Sequence, residues 1–477
     1  MKYKYFFYTS LIFLVSITSL VIPSCKKKEH KEISGKKTIN IWIMPNSPRP
    51  VIDLEEVLSD FKKDNPDIEI VITAIDWGAA WSKITVAATS GIGPDICQIG
   101  STWVGTIASM GSLLPLNDYI SEIGGEEAFL PAIWKTSHIE GSKEIIAIPW
   151  FVDVRAIYYR TDIFKKLGLT KKDLDTWESF EKTLKRIKEA KVVTDEKGNL
   201  YVGKEAEDKL KQQGYKLIEP LGITGKNDWN VIHNFVPWIW AAGGELLSSD
   251  RKKAVFDSKE ALQGVFFYTG LVRKGLVPIK SLELNTTQVA TNFVNGEYAM
   301  YFDSPHMVKY MSLPEEEGGT GETVASKNYD IALFPKGPKG RFHFMGGSNL
   351  VIFKFSKHPK EAWRIVAYLC SKKAQIKYSQ KTGFLPSRKD AFDDPYFEKD
   401  PKRKIFKEAT KYGKVYPCIP SWGPIEPVLT RRLGILWDYV AGMYGPPTDE
   451  DIEQQIKLAA KEVNSVLLTV NSSETNK

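Results

Sequence analysis

A chain of 477 residues that is 43% hydrophobic, 26% charged and 12% aromatic exceeds one ordinary core and suits two domains, and this composition excludes general disorder. The formal charge of +7 is not spread over the fold: residues 1–37 carry eight lysines against Glu29 and Glu32, which is nearly all of it. The body is close to neutral and has no surplus from which to build a phosphate-binding face, so nucleic acid is excluded as a partner.

The first elements in chain order read as an export leader. Lys2 and Lys4 give a positive start, Phe6 to Ile22 a mostly apolar stretch, and Pro23-Ser24-Cys25 its close. The stretch is interrupted by Thr9, Ser10, Ser16, Thr18 and Ser19, which favours a signal peptide over residues 1–24 rather than a permanent span. Cys25 resembles the acylated cysteine of a bacterial lipobox, with Pro23 departing from the usual small residue; an ordinary signal peptide with an incidental cysteine is the alternative. Residues 25–37 are charged and aperiodic, as a lipid-anchored tether is. The other cysteines, Cys97, Cys370 and Cys418, are odd in number and widely spaced, with no disulfide or zinc pattern.

Thr38–Ile43 alternates like a half-buried strand, Ile52, Val57, Leu58 and Phe61 recur at helical spacing, and Ile68–Ile72 is the next strand. This strand–helix–strand unit predicts a parallel sheet. The pattern continues with a helix over 81–90, a strand over 95–99 and a helix over 103–110. Loops after such strands converge on one crevice, which brings Pro45–Pro50, Asp76–Trp81 and Gly100–Trp103 together. Residues 182–217 are Lys/Glu-rich and read as an exposed helix and hairpin insertion. Residues 359–470 read as mostly helical, with 471–477 a frayed tail.

The segment Ala147-Ile148-Pro149-Trp150-Phe151-Val152-Asp153-Val154-Arg155-Ala156-Ile157-Tyr158-Tyr159-Arg160, followed by a helix ending at Gly168, resembles the signature of the bacterial extracellular solute-binding proteins of family 1, the maltose-type sugar-binding components of ABC importers. Arg160 stands where Asn or Asp is usual. Further family-like segments follow the expected order: Gly93-Pro94-Asp95-Ile96, Gly225 to Trp229, Trp240 to Gly244, Phe293 to Met300, Gly346-Gly347-Ser348-Asn349 and His358 to Trp363. The resemblance covers nearly the whole chain after the tether. It implies an α/β, two-lobed periplasmic-binding-protein fold, each lobe a sheet flanked by helices, with three hinge crossings near Asp153, Pro305 and Lys357. The lobes would then be 38–152 with 306–356, and 153–305 with 357–470.

The same resemblance implies a lipoprotein that is exported to the periplasm or cell exterior, captures a mono- or oligosaccharide between its lobes and passes it to ABC importer permease subunits. It would act as a monomer without cofactor or metal, touching the membrane through its lipid anchor. Sugars present apolar C–H faces and a rim of hydroxyls, so their sites combine aromatic platforms with planar polar groups. Trp42, Trp103, Trp229, Trp238, Trp240 and Trp422 fall in predicted cleft loops; of these Trp42, Trp103, Trp240 and Trp422 enter the expected site as platforms, with Asn46, Ser101 and Thr102 as polar contacts. Asp153 and Arg155, at the first crossing, offer an acceptor and a forked donor, or else a salt bridge bracing the hinge. Asp303 and His306 stand where the family places a sugar-contacting loop, and His233 where it has an aromatic. Gly347, Ser348 and Arg388 complete the expected set, Arg388 either reaching the cleft or capping structure.

Two other classes are weighed. Asp153, Asp303 and Glu426 could supply the carboxylate pair of a glycoside hydrolase, but no nucleophile elbow, Walker loop, HExxH or cysteine–histidine signature accompanies them. A non-sugar solute such as a phosphorylated polyol needs clustered cations, and only Arg155 and Arg388 present themselves.

Overall fold

The computed structural model describes residues 35–226 and 228–475, so the signal peptide, Cys25 and most of the tether lie outside the described residues. Strand β1 (Lys37–Ile43) turns Ile39, Ile41 and Ile43 into the core, as its alternation requires. Helix Pro50–Val57 leads to β2 (Ile68–Ala74), helix Trp77–Ser90 to β3 (Ile96–Gly100), and a longer excursion to β4 (Ile148–Val154). Both β2 and β3 pair with β1 in parallel.

Arg155 alone separates β4 from β5 (Ala156–Arg160), which belongs to a different sheet. An excursion follows: helix Trp177–Ala190, opened by a Thr176–Ser179 capping box, and a small sheet of β6 (Val193–Asp195), β7 (Leu200–Tyr201) and β8 (Tyr215–Leu217). The helix and strand pair expected over 182–217 are present with a third strand and helix Gly203–Lys209 between them, but the first helix is not simply exposed: Leu184 and Ile187 are buried in the second core. The chain then adds β9 (Glu219–Gly222), β10 (Tyr298–Asp303) and β11 (Tyr329–Ala332), giving a second sheet of order β11-β5-β10-β9.

It returns to the first sheet as β12 (His343–Ile352), joined by the short β13 (Leu385–Pro386) and β14 (Gly413–Lys414). Because β12 arrives from the second sheet rather than through a helical crossover, it enters antiparallel between β3 and β4. The first sheet, of order β13-β4-β12-β3-β1-β2 with β14 beside β12, is therefore mixed rather than parallel.

The second and third changes of sheet lie further along the chain than Pro305 and Lys357. Strand β11, expected in the N-terminal lobe, completes the second sheet. Helices Pro359–Leu369 and Lys372–Thr382, expected in the C-terminal lobe, stay on the first: Trp363, Ile365, Val366 and Leu369 share a core with Ile39, Ile41 and Ile70. Amphipathic helices go where their apolar stripe finds a complementary sheet face. The last two helices, Trp422–Val440 and Asp449–Thr475, join the second core, where Leu433 and Trp437 meet Ile456 and Val463, and Phe406 of helix Pro401–Thr410 packs on the other face of the second sheet beside Tyr158. The tail expected to fray from Asn471 is helical through Thr475, carried past the anchoring stripe of Ile452, Ile456, Ala459, Val463 and Leu467.

Gly347 on β12 shows how closely the strands meet at the crossing. Its φ of +136° is one L side chains avoid, and a Cβ there would lie 2.1 Å from the Phe151 carbonyl oxygen. Gly347→Ala is expected to lower unfolding free energy by at least about 1–3 kcal/mol in urea melts, from backbone strain alone.

Candidate functional site

The two sheets bring their strand ends to one cavity of about 1190 Å³. From the first lobe come the loop after β1 (Pro45–Pro48), the start of helix Trp77–Ser90 after β2, and Gly100–Trp103 after β3. These are the three loops the sequence pattern directs to a crevice, and they sit at carboxyl ends of parallel strands. The second lobe contributes the start of helix Asn230–Ala242, the Asp303–His306 turn after β10, and one face of helix Trp422–Val440. Phe344, Gly347 and Ser348 of β12 form the floor.

Eleven of the fifteen expected site residues line this cavity: Asn46, Ser101, Thr102, Trp103, Asp153, Arg155, His233, Asp303, His306, Gly347 and Ser348. Asn46 and Ser348 meet beneath it through Gln98: Asn46 Nδ2 donates to Gln98 Oε1 at 2.9 Å, and Gln98 Nε2 to Ser348 Oγ at 2.9 Å. Trp103 is partly exposed and is held edge-on by Trp77 and Trp81, with ring centroids at 5.8 and 5.4 Å.

Four expected residues are elsewhere. Trp42 lies within β1 and packs with the core around Met44 and Ile75 rather than on the loop that follows. Trp240 is at the far end of helix Asn230–Ala242, whose first turn is the end that faces the cavity; it is buried beside Tyr416 and under Lys414. Trp422 is buried and stacks on Tyr416 at 4.5 Å, leaving Gly423 and Glu426 of its helix to face the cavity. Arg388 caps structure: it donates to the Ile123 carbonyl at 2.7 Å and pairs with Asp390 at 2.9 Å.

The sequence reading missed other lining groups. Trp77 and Trp81 belong to a loop it placed correctly without choosing its side chains. Trp229, one of the tryptophans the sequence places in cleft loops, does line the cavity; it is 44% exposed and stands 6.1 Å from Trp77. Phe151, Phe384 and Asn230 also line the cavity, as does Glu426, which the sequence offered only as a hydrolase carboxylate. Glu426 carried a signal: a lone carboxyl in the apolar run Trp422-Gly423-Pro424-Ile425-Glu426-Pro427-Val428-Leu429.

The polar centre is built around Arg155. Its guanidinium pairs with Asp153 at 3.1 Å and Asp303 at 3.2 Å, and donates to Asn230 Oδ1 at 2.6 Å. The two readings of Asp153 and Arg155, cleft contacts or a hinge brace, thus meet in one network. Burial pushes the Asp303 carboxyl up to about 6 and raises that of Asp153, against the pull of Arg155. Burial likewise lowers His306 to about 4 and His233 well below the usual imidazole range, so both rings are neutral at pH 7. His233 Nδ1 lies 2.9 Å from the Tyr416 hydroxyl, and the ring stacks on Phe344 at 3.7 Å. Asp153 Oδ1 and Glu426 Oε1 are buried without a hydrogen-bond partner among the described residues.

Two cations at the mouth, Lys226 and Arg431, are already paired, Lys226 with Glu283 and Asp438, Arg431 with Glu462. Such a cavity offers aromatic faces and hydrogen-bonding oxygens, and little free positive charge. Among the described residues no group of His, Cys, Asp and Glu is arranged to hold a metal ion, and no helix is long and apolar enough to cross a membrane.

Comparison with known proteins agrees with this architecture. The diacetylchitobiose-binding protein DasA of Streptomyces coelicolor is 24% identical over 437 residues, covering 87% of this chain and 90% of that protein. The maltotriose-binding protein of Pyrococcus abyssi is 22% identical, covering 90% and 82%. An ABC transporter solute-binding protein from Thermotoga lettingae, solved with α-D-tagatose bound, superposes with a TM-score of 0.71 at 24% identity over 91% of this chain and all of its own. Residues 56–405 match the sequence profile of the bacterial extracellular solute-binding proteins, and the chain belongs to that family.

Proposed function

We propose that the chain is the substrate-binding component of an ABC importer, capturing a neutral mono- or oligosaccharide between its lobes and delivering it to the permease. The observation that carries this reading is the pairing, in one cavity, of tryptophan faces (Trp77, Trp103, Trp229) with buried oxygens that lack a partner (Asp153 Oδ1, Glu426 Oε1). A sugar supplies both complements, C–H faces for the rings and hydroxyls for the oxygens. The relatives that bind diacetylchitobiose and maltotriose, and the tagatose complex, support the same class. In this reading Trp103 is a stacking platform and Asp153 a hydroxyl acceptor.

A phosphorylated polyol fits less well, because Arg155, Lys226 and Arg431 are each neutralised by carboxylates. Hydrolysis is not part of the proposal, since the family consists of binding proteins. A thermal-shift screen over neutral mono- and oligosaccharides tests it: a sugar at a hundredfold excess over its dissociation constant stabilises the fold by about 2.7 kcal/mol. A shift with phosphorylated polyols and with none of the sugars sinks the reading.

The family is extracellular, and we propose acylation at Cys25 as the means of retention at the membrane. Cys25→Ala is expected to move the protein from the membrane pellet to the soluble exported fraction. Retention after carbonate washing would contradict it.

A further inference from the structure

Glu426 sits in an apolar stretch of helix Trp422–Val440 and is 5% exposed. Thr102 Oγ1, from the first lobe, donates to Oε2 at 3.1 Å, while Oε1 is buried without a partner among the described residues in a residue that lines the cavity. The helix holding it is fixed at its start and along one face. Gly423 N donates to Thr106 Oγ1 at 2.9 Å, Thr106 Oγ1 donates to the Pro420 carbonyl at 2.7 Å, and Ile425, Leu429 and Leu433 are buried in the second core.

We propose that Glu426 is a specificity-determining residue of the cleft, hydrogen-bonding through Oε1 to a neutral oxygen of the bound solute while Thr102 holds Oε2. The inference rests on the carbohydrate reading and names the group that sets the charge of the accepted solute. A carboxyl fixed in this way reads one position of the solute, because neither the side chain nor its helix has to reorganise on binding.

The surroundings decide its proton. The facing first-lobe residues Thr102 and Trp103 are uncharged. Tyr416 and His233, from the elements packed beside it, are neutral, the ring of His233 by burial. Asp153 and Asp303 share the one guanidinium of Arg155 within their own network, and on its own helix Arg431 and Arg432 pair with Glu462 and Asp438 with Lys226. Burial therefore pushes the carboxyl up to about 7, opposed by the hydrogen bond from Thr102 and, less, by the neighbouring Trp103. Raised above its unfolded value, the group keeps its proton in the folded state up to that pH and gives it up above. A protonated Glu426 donates to a hydroxyl or ring oxygen of the solute. Affinity should accordingly hold steady on the acid side and fall as pH rises through about 7.

The full chain, titrated calorimetrically at pH 6 and pH 8.5 with N,N′-diacetylchitobiose, maltotriose and α-D-tagatose, tests this. Glu426→Gln, which keeps a donor and an acceptor, should bind the responding sugar within about threefold of wild type and lose the pH dependence; Glu426→Ala should bind about tenfold more weakly. Urea melts on both variants separate lost affinity from lost fold, and the glutamine variant serves if the alanine variant unfolds. Wild-type affinity for Glu426→Ala, or affinity that rises between pH 6 and 8.5, overturns the proposal. If none of the three sugars binds, the carbohydrate reading fails, and a carbon-13 titration of the Glu426 carboxyl in the unliganded protein decides the residue's role. A midpoint near neutrality retains it with the solute class alone revised, and a midpoint in the ordinary range near about 4.3 removes it.

Discussion

Replacing Arg155 by methionine is expected to lower unfolding free energy by about 3–5 kcal/mol, the range for removing one partner of a buried ion pair. The side chain is 5% exposed and is the cation that both Asp153 and Asp303 face, Asp303 being 2% exposed. Without it two carboxylates remain in a site that already raises them through burial. Part of the cost returns as they take up protons, so the loss should be largest at pH 8 and smaller at pH 5. Adding Asp303→Asn removes one of the stranded charges and should recover part of the loss, a coupling that a double-mutant cycle measures directly. Urea melts of the four proteins give every term. Equal midpoints for wild type and Arg155→Met would mean that the network contributes nothing to the junction between the sheets.

Trp103→Ala and Trp229→Ala should each weaken sugar binding by about 1–3 kcal/mol, as truncation of aromatic hot spots does. The two separate differently from stability. Trp229 is 44% exposed at the start of helix Asn230–Ala242, so its loss should leave the melt within about 0.5 kcal/mol of wild type. Trp103 is wedged between Trp77 and Trp81, so its truncation should cost some stability too, though less than the several kcal/mol of a fully buried ring such as Trp238. Calorimetry beside denaturant melts resolves the two effects. Unchanged affinity in both variants would assign these rings to packing.

Much of this architecture was legible in the chain. Alternation in Thr38–Ile43 and the strand ends before Pro45 and Gly100 placed the cleft loops, because period-2 and period-3.6 patterns report directly on which face is buried. The antiparallel entry of β12 was not legible, since strand direction depends on where the chain returns from and not on the pattern of the strand itself. The same limit explains the two misplaced lobe changes: helix Pro359–Leu369 has an apolar stripe that fits either sheet, and only the assembled fold chooses. Tryptophans were the least readable site residues. Trp240 and Trp422 stand within a turn or two of cleft residues, yet a rotation of 100° per residue puts one neighbour in the cavity and the next in the core. Glu426 was visible as a polar residue in an apolar helix, but its meaning depends on Thr102, 324 residues away in sequence.

The central claim, that the interlobe cavity holds a neutral sugar, is tested most directly by a crystal structure of the full folded body with the sugar that gives the largest thermal shift. The account predicts a ring packed against Trp103 or Trp229, with hydroxyls within hydrogen-bond distance of Asp153 Oδ1 and Glu426 Oε1. A sugar bound outside the cavity, or a phosphorylated solute held there by Arg155 in place of its carboxylates, would contradict it.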